Sequence, residues 1–259
     1  MISEKSSAII KRSPVQLKKP VRIVLFTTDT ACVACPDAHE LVRAIKSHMG
    51  RIALESYDMV MDRDKTEQYG IRQVPAIVVQ GGEGQTVTFY GLAEDVFLEI
   101  LMETIQSLAE AKVWFPDDIR RALRHLVHDV KIRVFVETDC VKCKPVADTA
   151  IGLAMESRLI DADIIIASDF PELIKKYRVT TLPTTIFGEN LFMEGHVTES
   201  EFLEMIFQAE GIKPTPDRRC LVCGKSTPDA ICEECKTRIQ AEAFEHKLKS
   251  ERTRQRESS

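Results

Sequence analysis

Apolar positions along the first hundred residues change period several times, and each change marks an element. Val21 to Phe26 is an apolar run of strand length, followed by Pro36 to Met49. There Ala38, Leu41, Val42, Ile45 and Met49 recur at three- and four-residue spacing until Gly50 stops the helix. Ile52 to Tyr57 predicts a short strand, Asp62 to Tyr69 a short polar helix, and Val74 to Val79 a strand entered through Pro75. Gly81-Gly82-Glu83-Gly84 predicts a tight turn, Thr86 to Tyr90 pairs back as a hairpin strand, and Ala93 to Leu108 closes the set as an amphipathic helix.

The same pattern then recurs. Lys131 to Phe135 repeats Arg22 to Phe26, and Cys140-Val141-Lys142-Cys143 repeats Cys32-Val33-Ala34-Cys35. Pro75 lies 43 residues after Cys32, and Pro183 lies 43 residues after Cys140. Tyr69 to Pro75 aligns with Tyr177 to Pro183, and Gly91 before Phe97-Leu98-Glu99 parallels Gly195 before Phe202-Leu203-Glu204. A period of about a hundred residues is a duplicated domain, far too long for a solenoid repeat. The second copy predicts a helix after Cys143, a strand from Ala162 to Ile166 and a helix ending at Tyr177. A strand from Pro183 to Phe187, a Gly188-Glu189-Asn190 turn and a helix from Glu199 to Glu210 complete it.

Between the copies, Lys112-Val113-Trp114-Phe115-Pro116 leads into a helix through His128, with Asp117 or Asp118 as its cap and Ile119, Leu123 and Leu126 on its apolar face. Trp114, the only tryptophan, reads better as a domain-junction anchor than as a ligand contact. So short a connection implies that the copies pack together.

Length agrees: 259 residues suit two domains of about 100–150 residues, and 44% hydrophobic content fills two cores. A net charge of −5 argues against a general nucleic-acid binder. Met1 to Pro20 offers only Ile9-Ile10 as an apolar pair, neither a signal-peptide core nor a membrane span, so the default expectation is a flexible leader and a cytoplasmic protein.

All eight cysteines fall into four CxxC pairs, 32/35, 140/143, 220/223 and 232/235, which points to redox or metal chemistry and away from a disulfide scaffold. In the first two pairs the cysteines sit where a strand hands over to a helix. Free N–H groups and the positive end of the helix dipole there favour a thiolate on the first cysteine. The second can resolve a mixed disulfide. A structural zinc half-site is the competing reading of either pair. Lys142 and Lys144 flank the second pair and add positive charge, against Asp139, which makes Cys140/Cys143 the favoured outward-facing site. His39, one turn after Cys35, either modulates that thiol or is an ordinary surface histidine.

The last two pairs read differently. Cys220-Leu221-Val222-Cys223-Gly224 has the form of a zinc knuckle, and Cys232-Glu233-Glu234-Cys235 opens a helical run, Lys236 to Glu251. Cys220, Cys223, Cys232 and Cys235 therefore predict a structural Zn2+ site in a small ribbon or treble-clef-like segment. About forty residues bury too little core to fold without metal. Pro214-Thr215-Pro216-Asp217 is the linker, and the mixed charges of the following helix predict a solvated face, with docking to a protein partner preferred over nucleic acid.

The β-α-β then β-β-α order, with a cysteine pair at the first strand–helix junction and a proline opening the third strand, resembles the thioredoxin fold. The tandem arrangement over about residues 19–212 resembles the protein disulfide oxidoreductases, glutaredoxin-like proteins of two thioredoxin units. The resemblance implies an α/β chain of two such folds. It implies cis bonds at Val74–Pro75 and Leu182–Pro183, which present the preceding backbone to a peptide and keep metal from the thiols. The expected organisation is a leader at 1–18, units at 19–112 and 113–212, and the zinc segment at 213–259. The dipeptides Val33-Ala34 and Val141-Lys142 depart from the Pro-Tyr type usual in that family, and neither pair is preceded by tryptophan: Ala31 and Asp139 stand there.

The implied activity is thiol–disulfide exchange on protein disulfides in cell redox homeostasis, with Cys32, Cys35, Cys140, Cys143, Pro75 and Pro183 as site residues. No flavin or nucleotide fingerprint is present, so no organic cofactor is expected, and electrons would come from a thioredoxin-reductase-like flavoprotein or a small thiol. A non-catalytic adaptor and an electron relay to a peroxidase are the alternatives.

Overall fold

The computed structural model describes residues 3–30, 32–82, 84–110, 114–212 and 218–257. Expectations resting on Ala31, on Glu83 of the turn, on Lys112-Val113 and on the Pro214-Thr215-Pro216-Asp217 linker lie outside these residues.

The first copy comprises β1 (Gln16–Thr27), α2 (Cys35–His48), β2 (Gly50–Asp58), α3 (Arg63–Tyr69), β3 (Ala76–Gln80), β4 (Thr86–Tyr90) and α4 (Asp95–Glu110). After α5 (Asp117–Leu123), the second comprises β5 (Val130–Val136), α6 (Lys144–Glu156), β6 (Ile160–Ile166), α7 (Pro171–Tyr177), β7 (Thr184–Phe187), β8 (Leu191–Glu194) and α8 (Glu199–Ala209). The chain ends in α9 (Glu233–Glu257).

The eight strands form one continuous sheet in the order β2-β1-β3-β4-β6-β5-β7-β8. The two copies join through a parallel pairing of β4 with β6, Val87 opposite Ala162 and Tyr90 opposite Ile165. Strand alternation divides the core. Ile23 and Leu25 face the large helices, while Val24 and Phe26 face the opposite side, where residues of α3 and α7 cover them. Because β1, β4, β6 and β5 all run the same way, the loops after β1 and β5 open at the same end of the sheet. Four strand spacings separate them, roughly 19 Å.

Three expectations are corrected. The leader is not loose chain. Residues Glu4–Arg12 form α1, capped by the Ser3 side chain, which accepts from the Ser6 N–H at 3.0 Å. Its single apolar pair, Ile9 and Ile10, is buried because α2 and α4 supply the missing surface, and Lys5 pairs with Asp95 at 2.6 Å. The strand then starts at Gln16, with a register irregularity between Gln16 and Val21 that accommodates Pro20.

Neither Asp117 nor Asp118 caps α5. Pro116 holds the cap position, and the helix stops at Leu123, short of His128. Asp118 is turned inward to a partner far along the chain, described below.

The tail helix is not solvated all round. Cys235, Ile239 and Ala243 form a buried stripe, and Cys235 and Ile239 are continuous with the main core. Cations on the remaining surface reach back to the second copy and to α5: Lys236 to Glu204 at 3.6 Å, Arg238 to Asp118 of α5 at 2.6 Å, and Lys247 to Glu199. The C-terminal segment thus borrows core from its neighbour.

Candidate active sites and metal site

Each CxxC pair lies in the loop that ends a central strand. After Thr27 the chain is held by the Asp29 N–H donating to Asp58 at the end of β2, 3.2 Å, and Cys35 then opens α2. Cys32 and Cys35 are joined by a disulfide, and the Cys35 N–H points back to the Cys32 carbonyl at 3.4 Å. In the second copy the loop after Val136 is anchored twice. The Phe97 N–H donates to the Thr138 carbonyl at 3.2 Å, and Glu137 accepts from the Ser168 backbone and hydroxyl, both at 2.9 Å. Cys140 and Cys143 form the second disulfide, just ahead of α6.

Exposure within each pair is unequal. Cys35 is 3% exposed and Cys143 1%, while Cys32 and Cys140 remain half-buried. The residue following each outer cysteine projects into solvent, Val33 at 95% and Val141 at 73%. The first cysteine of each pair is thus the more accessible one and lies beside a helix N-terminus, the environment that favours thiolate, and the second is buried.

Antiparallel pairing brings the prolines alongside. Ala76 is opposite Phe26 and Thr184 opposite Phe135, so Pro75 and Pro183 lie beside the strand ends that feed the cysteine loops. Val74–Pro75 and Leu182–Pro183 are both cis. The Pro75 and Pro183 carbonyls accept from the N–H groups of Gly91, at 3.0 Å, and Gly195, at 2.7 Å. Gly91 is at φ +107°, and a Cβ there would meet Asp169 at 2.6 Å, so the position requires glycine.

The flanking charges are arranged otherwise than their sequence positions suggest. Lys144 donates to Glu103 at 3.0 Å and pairs with Asp148 at 3.4 Å, so its charge is largely neutralised by α4 and by its own helix. His39 shares a hydrogen bond with the Thr27 hydroxyl at 3.2 Å. Burial, helped by the nearby Arg43, lowers its pKa below 6.5, which keeps the ring neutral at physiological pH.

A buried carboxylate escaped the sequence reading. Asp163, on β6, is 4% exposed and lies near Lys131, 3.4 Å, and Arg133, 3.9 Å. Burial raises its pKa against the pull of both cations. The signal was present: an acid in the otherwise apolar run Ala162 to Ile166, on a central strand covered on both faces.

The four C-terminal cysteines are unpaired, and their sulfurs all lie within 4.8 Å of one another. Gly224, at φ +76°, turns the knuckle, with its N–H donating to the Cys220 carbonyl at 2.9 Å. The Cys232 N–H points at the Cys220 sulfur, 3.3 Å. Burial pushes the Cys220 thiol up, but N–H groups of Cys232, Cys223 and Val222 outweigh it and bring its pKa down to about 7. The Cys223–Cys232 sulfur separation of 3.7 Å matches the spacing of about 3.8 Å that tetrahedral thiolates at about 2.3 Å from zinc would adopt. The cluster could hold a metal ion, and an all-sulfur donor set suits a soft or borderline one.

The fold and the paired half-exposed and buried sulfurs define a double thioredoxin-like oxidoreductase. Residues 130–208 match the family described as thioredoxin domain. Over 62 residues the chain is 42% identical to probable thioredoxins of Methanothermobacter thermautotrophicus and Methanothermobacter marburgensis, an alignment covering 24% of this chain and 72% of each relative. The chain belongs to the thioredoxin-fold disulfide oxidoreductase family. Two solved structures extend the likeness in fold across both copies. A protein disulfide oxidoreductase from Aeropyrum pernix has a TM-score of 0.72 at 24% identity, covering 81% of this chain and 94% of that one. The N-terminal N/C domain of alkylhydroperoxide reductase AhpF from Enterococcus faecalis has a TM-score of 0.70 at 20% identity, covering 80% and 100%. Among the described residues, no helix is long and apolar enough to cross a membrane.

Proposed function

We propose that the chain catalyses dithiol–disulfide exchange on protein disulfides, with Cys32 and Cys140 as attacking thiolates and Cys35 and Cys143 as resolving thiols. The observation that carries this is the unequal burial within each pair, outer sulfur half-exposed and inner sulfur covered. With the dithiol reduced, the outer thiolate attacks one sulfur of a substrate disulfide. The substrate S–S bond breaks, the mixed disulfide forms, and the departing thiolate takes a proton. The inner cysteine loses its proton and attacks the outer sulfur, which releases the second substrate thiol. Two electrons have passed to the substrate, and the protein holds the disulfide described above. A thioredoxin-reductase-like flavoprotein or a small thiol restores the dithiol by the reverse sequence. We assign to the Val74 and Leu182 backbones, at the mouths of β3 and β7, the pairing with an extended substrate segment. Pro75 and Pro183 fix those mouths.

For the C-terminal cluster the reading is structural Zn2+ held by Cys220, Cys223, Cys232 and Cys235. A complete thiolate set leaves no ligand position for catalysis, and the ion, when bound, ties the knuckle to the start of α9. Four unpaired cysteines beside two exchangeable pairs suit a reducing, cytoplasmic setting.

A redox titration of the zinc-loaded protein, read by thiol alkylation and peptide mass spectrometry, tests both parts. Pairs 32/35 and 140/143 are expected to cycle as two-electron couples while the other four cysteines stay protected. If the first four cysteines remained reduced at every poise, the exchange reading would be lost and a binding role would replace it.

A further inference from the structure

The duplication is broken at one place that bears on chemistry. The tail helix follows only the second copy, packs on α8, and extends past the mouth of the second cysteine pair. A groove of about 390 Å3 lies there. It is lined by Trp114 and Phe115 of the inter-copy connection, by Val141 and Pro145 beside the cysteine pair, and by His246 and Ser250 of α9. Val141 lies between Cys140 and Cys143 in sequence, and Lys144 and Pro145 follow Cys143 directly, so the groove adjoins the loop that carries the pair.

We propose that this groove is the specificity pocket of the Cys140/Cys143 site, receiving a bulky apolar side chain that flanks the target cysteine of a protein disulfide. The inference rests on the oxidoreductase reading and deepens it. Its occupant follows from three observations. The groove is lined by Val141, Lys144 and Pro145, the immediate sequence neighbours of the reactive pair. Its lining offers two aromatic rings, a valine and a proline, with Thr149, His246, Ser250 and Glu251 as further polar members, while Lys144 is already paired with Asp148, and Lys247 of the tail with Glu199. Its volume lies in the range of small pockets, enough for a leucine or phenylalanine side chain and short of a folded element. The C-terminal module is then a selectivity device for one dithiol, held in place by Arg238–Asp118 and Lys247–Glu199, and the Cys32/Cys35 site selects by other means.

The test uses full-length protein in two backgrounds, C32S/C35S to read the second site and C140S/C143S to read the first. Substrates are synthetic peptide disulfides with glycine, leucine or phenylalanine beside the target cysteine, and bis(2-hydroxyethyl) disulfide as a reference lacking flanks. At the second site, kcat/KM is expected to favour leucine or phenylalanine over glycine by roughly tenfold or more, the range typical of filling an apolar pocket. Ser250→Trp, which fills the groove from its half-buried rim, is expected to remove that preference, and His246→Trp serves as an independent filling variant. The first site is expected to show no change in preference with either variant. Equal turnover of all three peptides, or a preference that survives both fillings, would overturn the pocket while leaving exchange intact. Failure of both sites to reduce even the reference disulfide would instead remove the oxidoreductase reading.

Discussion

Arg238 of the tail helix donates to the buried carboxylate of Asp118, 120 residues earlier, at 2.6 Å. The pair fastens the C-terminal segment to the short helix between the two copies, and the Arg121 side chain adds a longer bond to the Val222 carbonyl at 3.4 Å. Charge-assisted hydrogen bonds of this kind contribute about 1.5–3 kcal/mol. Arg238→Ala is therefore expected to loosen α9 by about that amount, seen as faster amide exchange through residues 233–243 with the sheet unchanged. Asp118→Ala in the same chain removes the shared acceptor, which Arg121 also approaches at 3.5 Å, so the double variant should lose less than the two single losses combined. Additive losses would show that the two side chains do not depend on each other.

The thiol cluster leads to a second prediction. The purified chain is expected to carry one zinc ion, and its removal by a chelator should make exactly the cysteines at 220, 223, 232 and 235 newly reactive to alkylation. Because α9 packs on α8 and Ile239 joins the main core, metal loss should unfold the knuckle and loosen the helix without unfolding the sheet. Elemental analysis with alkylation mapping decides it. Retention of metal in Cys232→Ser together with Cys235→Ser would place the ion elsewhere.

Burial sets the order in which the reduced thiols react. Cys32 and Cys140 should be alkylated before Cys35 and Cys143, by roughly tenfold or more, since reagent must reach the sulfur and the helix N-terminus favours the outer thiolate. In Cys143→Ser, a substrate disulfide should therefore become trapped on Cys140, visible as a mixed disulfide by mass spectrometry. Faster labelling of the inner cysteines would reverse the roles assigned here.

Much of this architecture was legible because duplication doubles every signal. The apolar run Val21 to Phe26, and its echo in Lys131 to Phe135, located the central strands. The spacing of Cys32 to Pro75, met again at Cys140 to Pro183, pointed to the candidate sites. What was not legible depends on surfaces that only assembly creates. Ile9-Ile10 makes no helix by itself, and α1 forms because α2 and α4 cover it. Strand β8 alternates half-buried and exposed positions, but Phe192 is one of the exposed ones, at 61%, so the run Leu191-Phe192-Met193 gave no period-two signal. The β4–β6 pairing joins two copies through strands that each look complete alone. In the tail, a narrow stripe of Ile239 and Ala243 was hidden among charges whose partners, Asp118, Glu199 and Glu204, lie far away in sequence.

The environment of His39 separates two roles that its position could suggest. A histidine that acted on the Cys35 or Cys32 sulfur as a cation would need a raised pKa, whereas burial lowers this one and Thr27 occupies its Nε2. Above pH 6.5 both the folded and unfolded chains carry the neutral ring, and it costs nothing. As pH falls through 6.5 the unfolded chain takes up a proton that the folded chain resists, so stability declines until the lower folded pKa is reached. His39→Gln keeps a hydrogen-bonding partner for Thr27 and cannot titrate. Urea unfolding at about pH 7.5 and about pH 5 should therefore show the wild type losing stability relative to His39→Gln on acidification, with no divergence on the alkaline side. The thiol titration of Cys32 should be the same in both proteins. A Cys32 pKa that rises in His39→Gln would show instead that the imidazole reaches the thiolate as a cation.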